Sequence, residues 1–98
     1  MSEQPTYATP LDDPAWPQGC LAQLWRVAIL PHATIPTSTA CRSAAEARSM
    51  AEKDSGAELT WEGWARGESG PARYLSNAVP YNGGKLYYEV LDWSKPHG

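Results

Sequence analysis

Few side chains in this sequence could take part in catalysis, and one cysteine has the most suggestive position. Cys41 comes just before a helical pattern that begins at Ser43, and the amides at a helix N-terminus favour a thiolate. His32 lies nine residues earlier, so this pair would supply a nucleophile and a base. The surrounding residues form no recognised catalytic signature. We therefore interpret Cys41 as a packed cysteine, and a small enzyme using Cys41 or a carboxylate is the weakest of our hypotheses.

The carboxylates do not form a catalytic pair that the sequence identifies. Glu58 and Glu62 would share one side of a strand about 13 Å apart, beyond the roughly 5–10 Å between the two carboxylates of glycosidases. Glu62 and Glu89 could meet across neighbouring strands, but an ordinary polar sheet edge explains the same residues. Our leading prediction is a chain without catalytic residues that is not an enzyme.

Metal, cofactor and phosphate sites have sequence signatures, and none of these occurs here. His32 and His97 are isolated, and the chain has no C-x-x-C or H-x-x-x-H spacing. Lys85 is followed by Leu86 rather than by the Ser or Thr of a phosphate-binding loop, so the glycines before it indicate a hairpin turn. We predict no metal and no cofactor.

The two cysteines, Cys20 and Cys41, are predicted to be free thiols. A strand of about 25–30 Å would separate them, whereas a disulfide needs Cα atoms within about 7 Å of each other. Both are then interpreted as small buried or half-buried apolar side chains.

Charge and composition exclude several classes of protein. The 98 residues carry a net charge of −3 with both signs spread along the chain, whereas a nucleic-acid binder usually has a basic excess. The chain begins without a basic, apolar leader and has no run near the ~20 apolar residues that span a bilayer. We expect a cytoplasmic protein that does not contact membranes. The Ala, Gly, Pro and Arg bias indicates a GC-rich genome, such as that of an actinobacterium or one of its phages.

Alternating and helical patterns predict a two-layer α+β fold. Residues 1–20 contain four prolines and are predicted to form a Pro-rich N-terminal arm, followed by a single α+β domain at 21–98. In that domain a capping box at Ser43 begins a helix over 43–54. The order β-α-β-β-β predicts one helix packed on a four-stranded, largely antiparallel sheet. The strands are predicted at 22–30, 58–66, 72–77 and 85–93, with a loop at 31–41.

The last predicted strand, KLYYEVLDW, is apolar on both sides, and one helix can cover only one of them. The side under the helix is predicted to contain Trp25, Val27, Ile29, Leu59, Trp61, Tyr74, Leu86, Tyr88 and Val90. The opposite face is predicted to contain Arg26, Trp64, Arg73, Tyr87, Glu89, Leu91 and Trp93.

That opposite face has the composition of a contact surface, because Trp, Tyr and Arg are the residues most enriched at binding hot spots. We hypothesise a small non-catalytic protein-interaction module, in a phage an accessory protein, that docks through this face. The face would be covered by another protein, by a second copy in a homodimer, or by the arm with Trp16 as its anchor. The partner-binding residues would be the apolar anchors Trp64, Tyr87, Leu91 and Trp93, with polar contacts from Arg26 and Arg73.

The alternative hypothesis is a single-stranded nucleic-acid binder on the same face. Exposed Tyr and Trp rings stack bases, and Arg26 and Arg73 would then contact phosphates. The acidic net charge argues against this partner, as do three carboxylates on the predicted face, those of Glu58, Glu62 and Glu89.

Overall fold

The computed structural model describes the backbone of residues 10–65 and 71–94, and the side chains of these residues except those at 64 and 65. Within these residues, a short 3-10 turn at Pro10–Asp12 precedes one helix and six strands. In chain order they are β1 (Ala22–Ile29), β2 (Thr34–Cys41), α1 (Ala44–Ser55), β3 (Trp61–Ala65), β4 (Ala72–Ser76), β5 (Val79–Tyr81) and β6 (Gly84–Asp92).

The described strands form one sheet in the order β2-β1-β6-β4-β3, with β5 also paired to β6. Every described pairing is antiparallel, and β6 lies in the middle, between β1 and β4. The prediction of a small α+β fold, with one helix on a largely antiparallel sheet, is confirmed. The four-strand layout is wrong, because the described sheet has six strands.

Residues 31–41, predicted to be a loop, instead contain β2 and the turn before it. β2 pairs with β1 along its full length of eight residues. Its threonines favour extended backbone, and its one proline, Pro36, is tolerated because β2 is an edge strand of the described sheet. The sequence pattern did not indicate this strand, because its side chains do not alternate between apolar and polar.

Cys20 and Cys41 are free thiols, as predicted, but the distance argument behind that prediction is wrong. β2 runs back along β1 and places Cys41 opposite Ala22, which is two residues from Cys20. Cys41 is fully buried and Cys20 is half-buried, so Cys41 is a packed core residue.

α1 begins and ends at the residues that local signals indicate. The Ser43 hydroxyl accepts a hydrogen bond from the Glu46 amide at 3.1 Å, which is the capping-box contact. At the other end, Gly56 has a left-handed φ of 69° and donates its N–H to the Glu52 carbonyl. Glycine adopts this conformation without the strain that a side chain would bring.

Replacing Ser43 by alanine is expected to lower the free energy of unfolding by about 1 kcal/mol, because the Glu46 amide loses its acceptor. Ser49→Ala is the matched control, because Ser49 is an exposed residue inside the helix, where alanine is a slightly better helix former. Urea unfolding at neutral pH measures both variants. An equal loss for the two substitutions would show that the cap does not carry the effect.

α1 packs on one face of the sheet through a stripe of small side chains. Ala44, Ala47 and Ala51 are buried, and the helix contacts β1 and β6 near the middle of the sheet. Because alanine is small, the helix backbone lies close to the strands and covers even short side chains below it. The buried core of the described residues also contains Ala22, Leu24, Ala28, Cys41, Leu59, Leu86, Tyr88 and Val90.

The predicted face assignment of β1 is wrong. Leu24 lies opposite Val90 of β6, so the even-numbered residues of β1 share the helix side with the core residues of β6. Both sides of β1 are apolar, and alternation alone does not choose between them. Small residues on the helix side match the close approach of α1. The residues of β1 that lie on the opposite face, half-buried, are therefore Trp25, Val27 and Ile29.

Candidate functional site

The face of the sheet opposite α1, here called the second face, is the main candidate surface. Its apolar side chains come from three neighbouring strands and are half-buried, apart from Leu91, which is 9% exposed. Among the described residues, α1 contacts β1, β2 and β6 from the other side, and no helix or strand packs across the second face. Its apolar members are Trp25, Val27, Ile29, Leu75, Tyr87 and Leu91.

An ion pair between Arg73 and Glu89 crosses the second face. The Arg73 Nη1 and Glu89 Oε2 atoms are 3.0 Å apart, and the two side chains are 25% and 24% exposed. Arg73 Nε is buried without a hydrogen-bond partner among the described residues, so the guanidinium is held against the sheet. The pair gives this apolar surface fixed polar groups of both signs, and their charges cancel.

Four of the predicted partner-binding residues have register positions on the second face. Tyr87 and Leu91 alternate along β6 with the core residues, and Arg73 lies opposite Leu91 in β4. Trp64 lies opposite Arg73 in β3, which places it on the same face, but its side chain is outside the described residues. The structure therefore brings together most of the predicted set.

Trp93 extends the second face beyond the end of β6. Its N–H donates to the Leu21 carbonyl at 2.8 Å, which continues the β1–β6 pairing and, by alternation, places Trp93 on the same side as Leu91. The side chain is half-buried, and its indole Nε1 is buried without a hydrogen-bond partner among the described residues. Trp93 is a packed residue at the margin of the face rather than a fully exposed anchor.

Arg26 does not belong to the second face. It lies on the helix side of β1, where its Nε donates to Asp54 Oδ2 of α1 at 2.8 Å. Its guanidinium carbon is 5.1 Å from the centre of the Tyr81 ring, within cation–π range. The prediction that Arg26 shares the face opposite the helix with Arg73 is wrong, because it rests on the reversed face assignment of β1.

Arg26, Asp54 and Tyr88 form a polar network between α1 and the sheet. The Tyr88 hydroxyl donates to Asp54 Oδ2 at 2.5 Å, and this bond, together with the Arg26 contact, holds the pKa of Asp54 below its usual value. Burial and the neighbouring Asp54 carboxylate raise the pKa of Tyr88 far above its usual range. The tyrosine therefore stays protonated at ordinary pH, and the network ties the end of α1 to β1 and β6.

A groove between α1 and β2 lies beside this network and has a volume of about 120 Å³. It was missed in the sequence because one of its walls belongs to the segment predicted to be a loop. Strand, helix and network residues all contribute to its lining, which consists of Leu24, Arg26, Thr37, Thr39, Met50, Asp54 and Tyr88.

The structure separates the cysteine and the histidine that could have formed a catalytic pair. His32 lies in the turn before β2, and Cys41 is the last residue of β2, so about 25 Å of strand lies between them. Burial, with Glu46 and Cys20 nearby, raises the pKa of the Cys41 thiol, which opposes thiolate formation. Within the described residues, no three His, Cys, Asp or Glu side chains converge on a possible metal position.

The described part of the N-terminal arm bonds to itself. The Trp16 indole N–H donates to the Cys20 carbonyl at 2.6 Å, and the other hydrogen bonds that residues 10–20 make with described residues also stay within this segment. A cavity of about 360 Å³ is lined wholly by residues 11–21. The arm therefore forms a local turn structure, and no described hydrogen bond ties Trp16 to the second face.

The described residues therefore form a small α+β domain in which one helix covers one face of a six-stranded sheet. Comparisons of the chain with protein-family models, with curated proteins and with solved structures find no match. In the described part of the chain, no helix is long and apolar enough to cross a membrane.

Proposed function

We propose that this chain is a small non-catalytic protein-interaction module that binds a protein partner through the second face. The observation that carries the proposal is a group of apolar side chains on three adjacent strands, over which no described helix or strand packs. A contiguous apolar surface of this kind on a folded domain usually marks a contact site. Tyr87 supplies an aromatic anchor, and the register position of Trp64 lies on the same face. Leu91, at 9% exposed, adds packed apolar surface beside them.

The ion pair of Arg73 and Glu89 would fix the orientation of the partner. Both side chains are partly exposed, at 25% and 24%, so a partner can still reach them with hydrogen bonds. An apolar centre beside polar groups of both signs matches the usual composition of a protein–protein interface. Arg26 has no part in this surface, because Asp54 holds it on the helix side.

Single-stranded nucleic acid is the less favoured partner. That hypothesis requires arginines that are free to contact phosphates, yet Arg73 is paired with Glu89 and Arg26 lies on the other face. By alternation in β6 the second face also carries the exposed Lys85, but one lysine is little positive charge, and affinity for a phosphate backbone depends on such charge.

The proposal predicts that Tyr87→Glu abolishes partner capture. In a nuclease-treated lysate, the affinity of the immobilised variant for the partner is expected to be at least about thirtyfold lower than that of the wild type, because hot-spot substitutions cost about 2 kcal/mol or more. Leu11→Glu is the matched control, because Leu11 is an arm leucine that is 37% exposed and receives the same charge. Both variants must keep the wild-type unfolding curve.

Equal retention of the partner by the wild type, Tyr87→Glu and Leu11→Glu would contradict docking through the second face. A labelled oligothymidylate provides the comparison with nucleic acid. If it binds, and if its affinity falls steeply as salt rises, the nucleic-acid alternative gains support at the expense of the protein partner.

A further inference from the structure

The free edge of β2 is a second candidate surface, and it is independent of the second face. β2 is the terminal strand of the described sheet on the β1 side, and the side chains from Thr34 to Thr39 are exposed. Between Thr34 and Ala40 the sequence has no charged residue. Natural edge strands usually carry charges that prevent pairing with another strand, so a long, uncharged edge is suited to such pairing.

The hydrogen-bond phase of β2 shows which backbone groups point outward. The Leu30 N–H donates to the Ala33 carbonyl at 2.8 Å, so the odd-numbered residues of β2 bond to β1 and the even-numbered residues face the free edge. Pro36 agrees with this phase, because its missing N–H falls on the outward side, where β1 does not need it. The residues with outward backbone groups are Thr34, Pro36, Ser38 and Ala40.

Two exposed apolar side chains lie near opposite ends of this strand. Ile35, near the start of β2, is 45% exposed, and Met50 of α1 is 37% exposed. Met50 Sδ is 3.6 Å from Cys41 Sγ at the other end of β2, and Met50 lines the groove together with Thr37 and Thr39. Ile35 of the same molecule is not among the residues that line this groove.

We propose that this edge binds a second copy of the chain, with the two β2 strands antiparallel about a two-fold axis at Thr37. In this register the second copy's Ile35 lies opposite Thr39, over the groove and next to Met50. The two-fold axis repeats this contact, so the exposed side chains of Ile35 and Met50 become covered in both copies. The two sheets join into one continuous sheet with both helices on the same side.

The uncharged sequence favours a second copy over an unrelated strand. Near a two-fold axis each residue approaches its own counterpart, so a charged residue there would meet a like charge. The segment from Thr34 to Ala40 has none, and a Thr37–Thr37 pair on the axis is of a favourable kind. The groove, at about 120 Å³, is comparable in size with cavities that hold small hydrocarbons, so it suits an isoleucine side chain.

Pro36 limits the strength of this pairing. In the proposed register Pro36 lies opposite Ser38, and its missing N–H leaves the Ser38 carbonyl without a backbone donor from the other copy. The association is therefore expected to be reversible. Adding a backbone N–H donor to the edge should strengthen the dimer, and removing one should weaken it.

The test measures the dimer dissociation constant by sedimentation velocity over a range of concentrations. Ser38→Pro removes an outward N–H without disturbing the β1 ladder, and it is expected to weaken dimerisation about tenfold. Pro36→Thr restores the missing donor and is expected to strengthen dimerisation about tenfold. Ser38→Ala keeps the N–H and is the matched control. In the wild type, hydrogen exchange of the Ser38 and Ala40 amides should slow as the concentration rises.

A monomer at every concentration, for the wild type and for Pro36→Thr, would overturn the proposal, as would a dimer that Ser38→Pro leaves intact. If Ser38→Pro does not fold, Ile35→Glu provides a second disrupting variant, because a charge would then enter the groove. A dimer that Tyr87→Glu disrupts and Ile35→Glu does not would assign self-association to the second face. A monomer would leave the proposed function standing, so the two proposals can fail separately.

Discussion

Replacing Gly84 by alanine is expected to unfold the domain, or to lower its free energy of unfolding by about 4 kcal/mol or more. A Cβ atom at this position would overlap the carbonyl oxygen of Ile29 and would lie 2.9 Å from the carbonyl carbon of Ile29 and 3.1 Å from Leu30 Cα. All of these are backbone atoms, so no side-chain rotation relieves the overlap. β1 and β6 would have to separate where their pairing begins.

Gly63→Ala is the matched control, because a Cβ atom there would meet a side chain instead. Its nearest neighbours would be the Cδ1 and Cε1 atoms of the Tyr74 ring, at 2.8 and 2.9 Å, and a ring can turn aside. We expect this substitution to cost about 1–3 kcal/mol. Urea unfolding followed by tryptophan fluorescence measures both variants. Equal stability of the two would contradict the close contact of the β1 and β6 backbones at Gly84.

Replacing Tyr88 by phenylalanine is expected to lower the free energy of unfolding by about 2 kcal/mol at neutral pH, because a hydrogen bond to a charged carboxylate is lost. Tyr88 is fully buried, and its hydroxyl donates to Asp54 at 2.5 Å. Phenylalanine fills the same space, so the substitution isolates the hydroxyl. Of its hydrogen bonds to described residues, Asp54 then keeps the one from Arg26.

The loss of unfolding free energy caused by Tyr88→Phe should depend on pH, and the shifted pKa values of Asp54 and Tyr88 determine how. The pKa of Asp54 lies below its ordinary value of 3.8 in the folded domain, chiefly because of the Tyr88 bond. The stability that ionised Asp54 contributes is complete above its ordinary pKa. It disappears as the pH falls through the lower pKa of the folded domain. The pKa of Tyr88 is raised above its ordinary value of 10.0, so its contribution is complete below that value and disappears as the pH rises through the higher folded value.

The unfolding free energies of the wild type and Tyr88→Phe should therefore differ most between about pH 5 and pH 9, and the difference should shrink below about pH 3. Urea unfolding at pH 7 and at pH 3 measures this difference. Asp54→Asn is a useful comparison, because it removes the titrating carboxylate. In the Asp54→Asn background, the free-energy difference caused by Tyr88→Phe should no longer change with pH. A difference that is the same at both pH values would contradict a bond to ionised Asp54.

The parts of the fold that depend on local signals were predictable from the sequence. Ser43, Glu46 and Gly56 mark the ends of α1, because capping contacts join residues that are close along the chain. β6 was recognisable because it is a long alternating run of apolar residues. β2 carries no such signal, since its Thr-rich sequence becomes a strand only through pairing with β1.

Which side of β1 lies under α1 could not be predicted, because both sides of the strand are apolar. Which side meets α1 depends on size, and the alanine stripe of the helix favours the small residues of β1 over Trp25. This one inversion moved Arg26 from the predicted site to the helix side. The faces of Tyr87, Leu91 and Arg73 followed correctly from alternation in β6 and β4, whereas their role in partner binding stays a prediction.

β6 lies in the middle of the sheet although it is the last of the described strands to be synthesised. During translation β1 can pair with β2, and β3 with β4, but these two hairpins join only when β6 enters between them. The nascent chain therefore exposes open strand edges until residues 84–92 emerge from the ribosome, and open edges are prone to wrong pairing. A ribosome that pauses before Gly84 holds a chain that cannot close its sheet, and this is the stage at which a chaperone would be most needed.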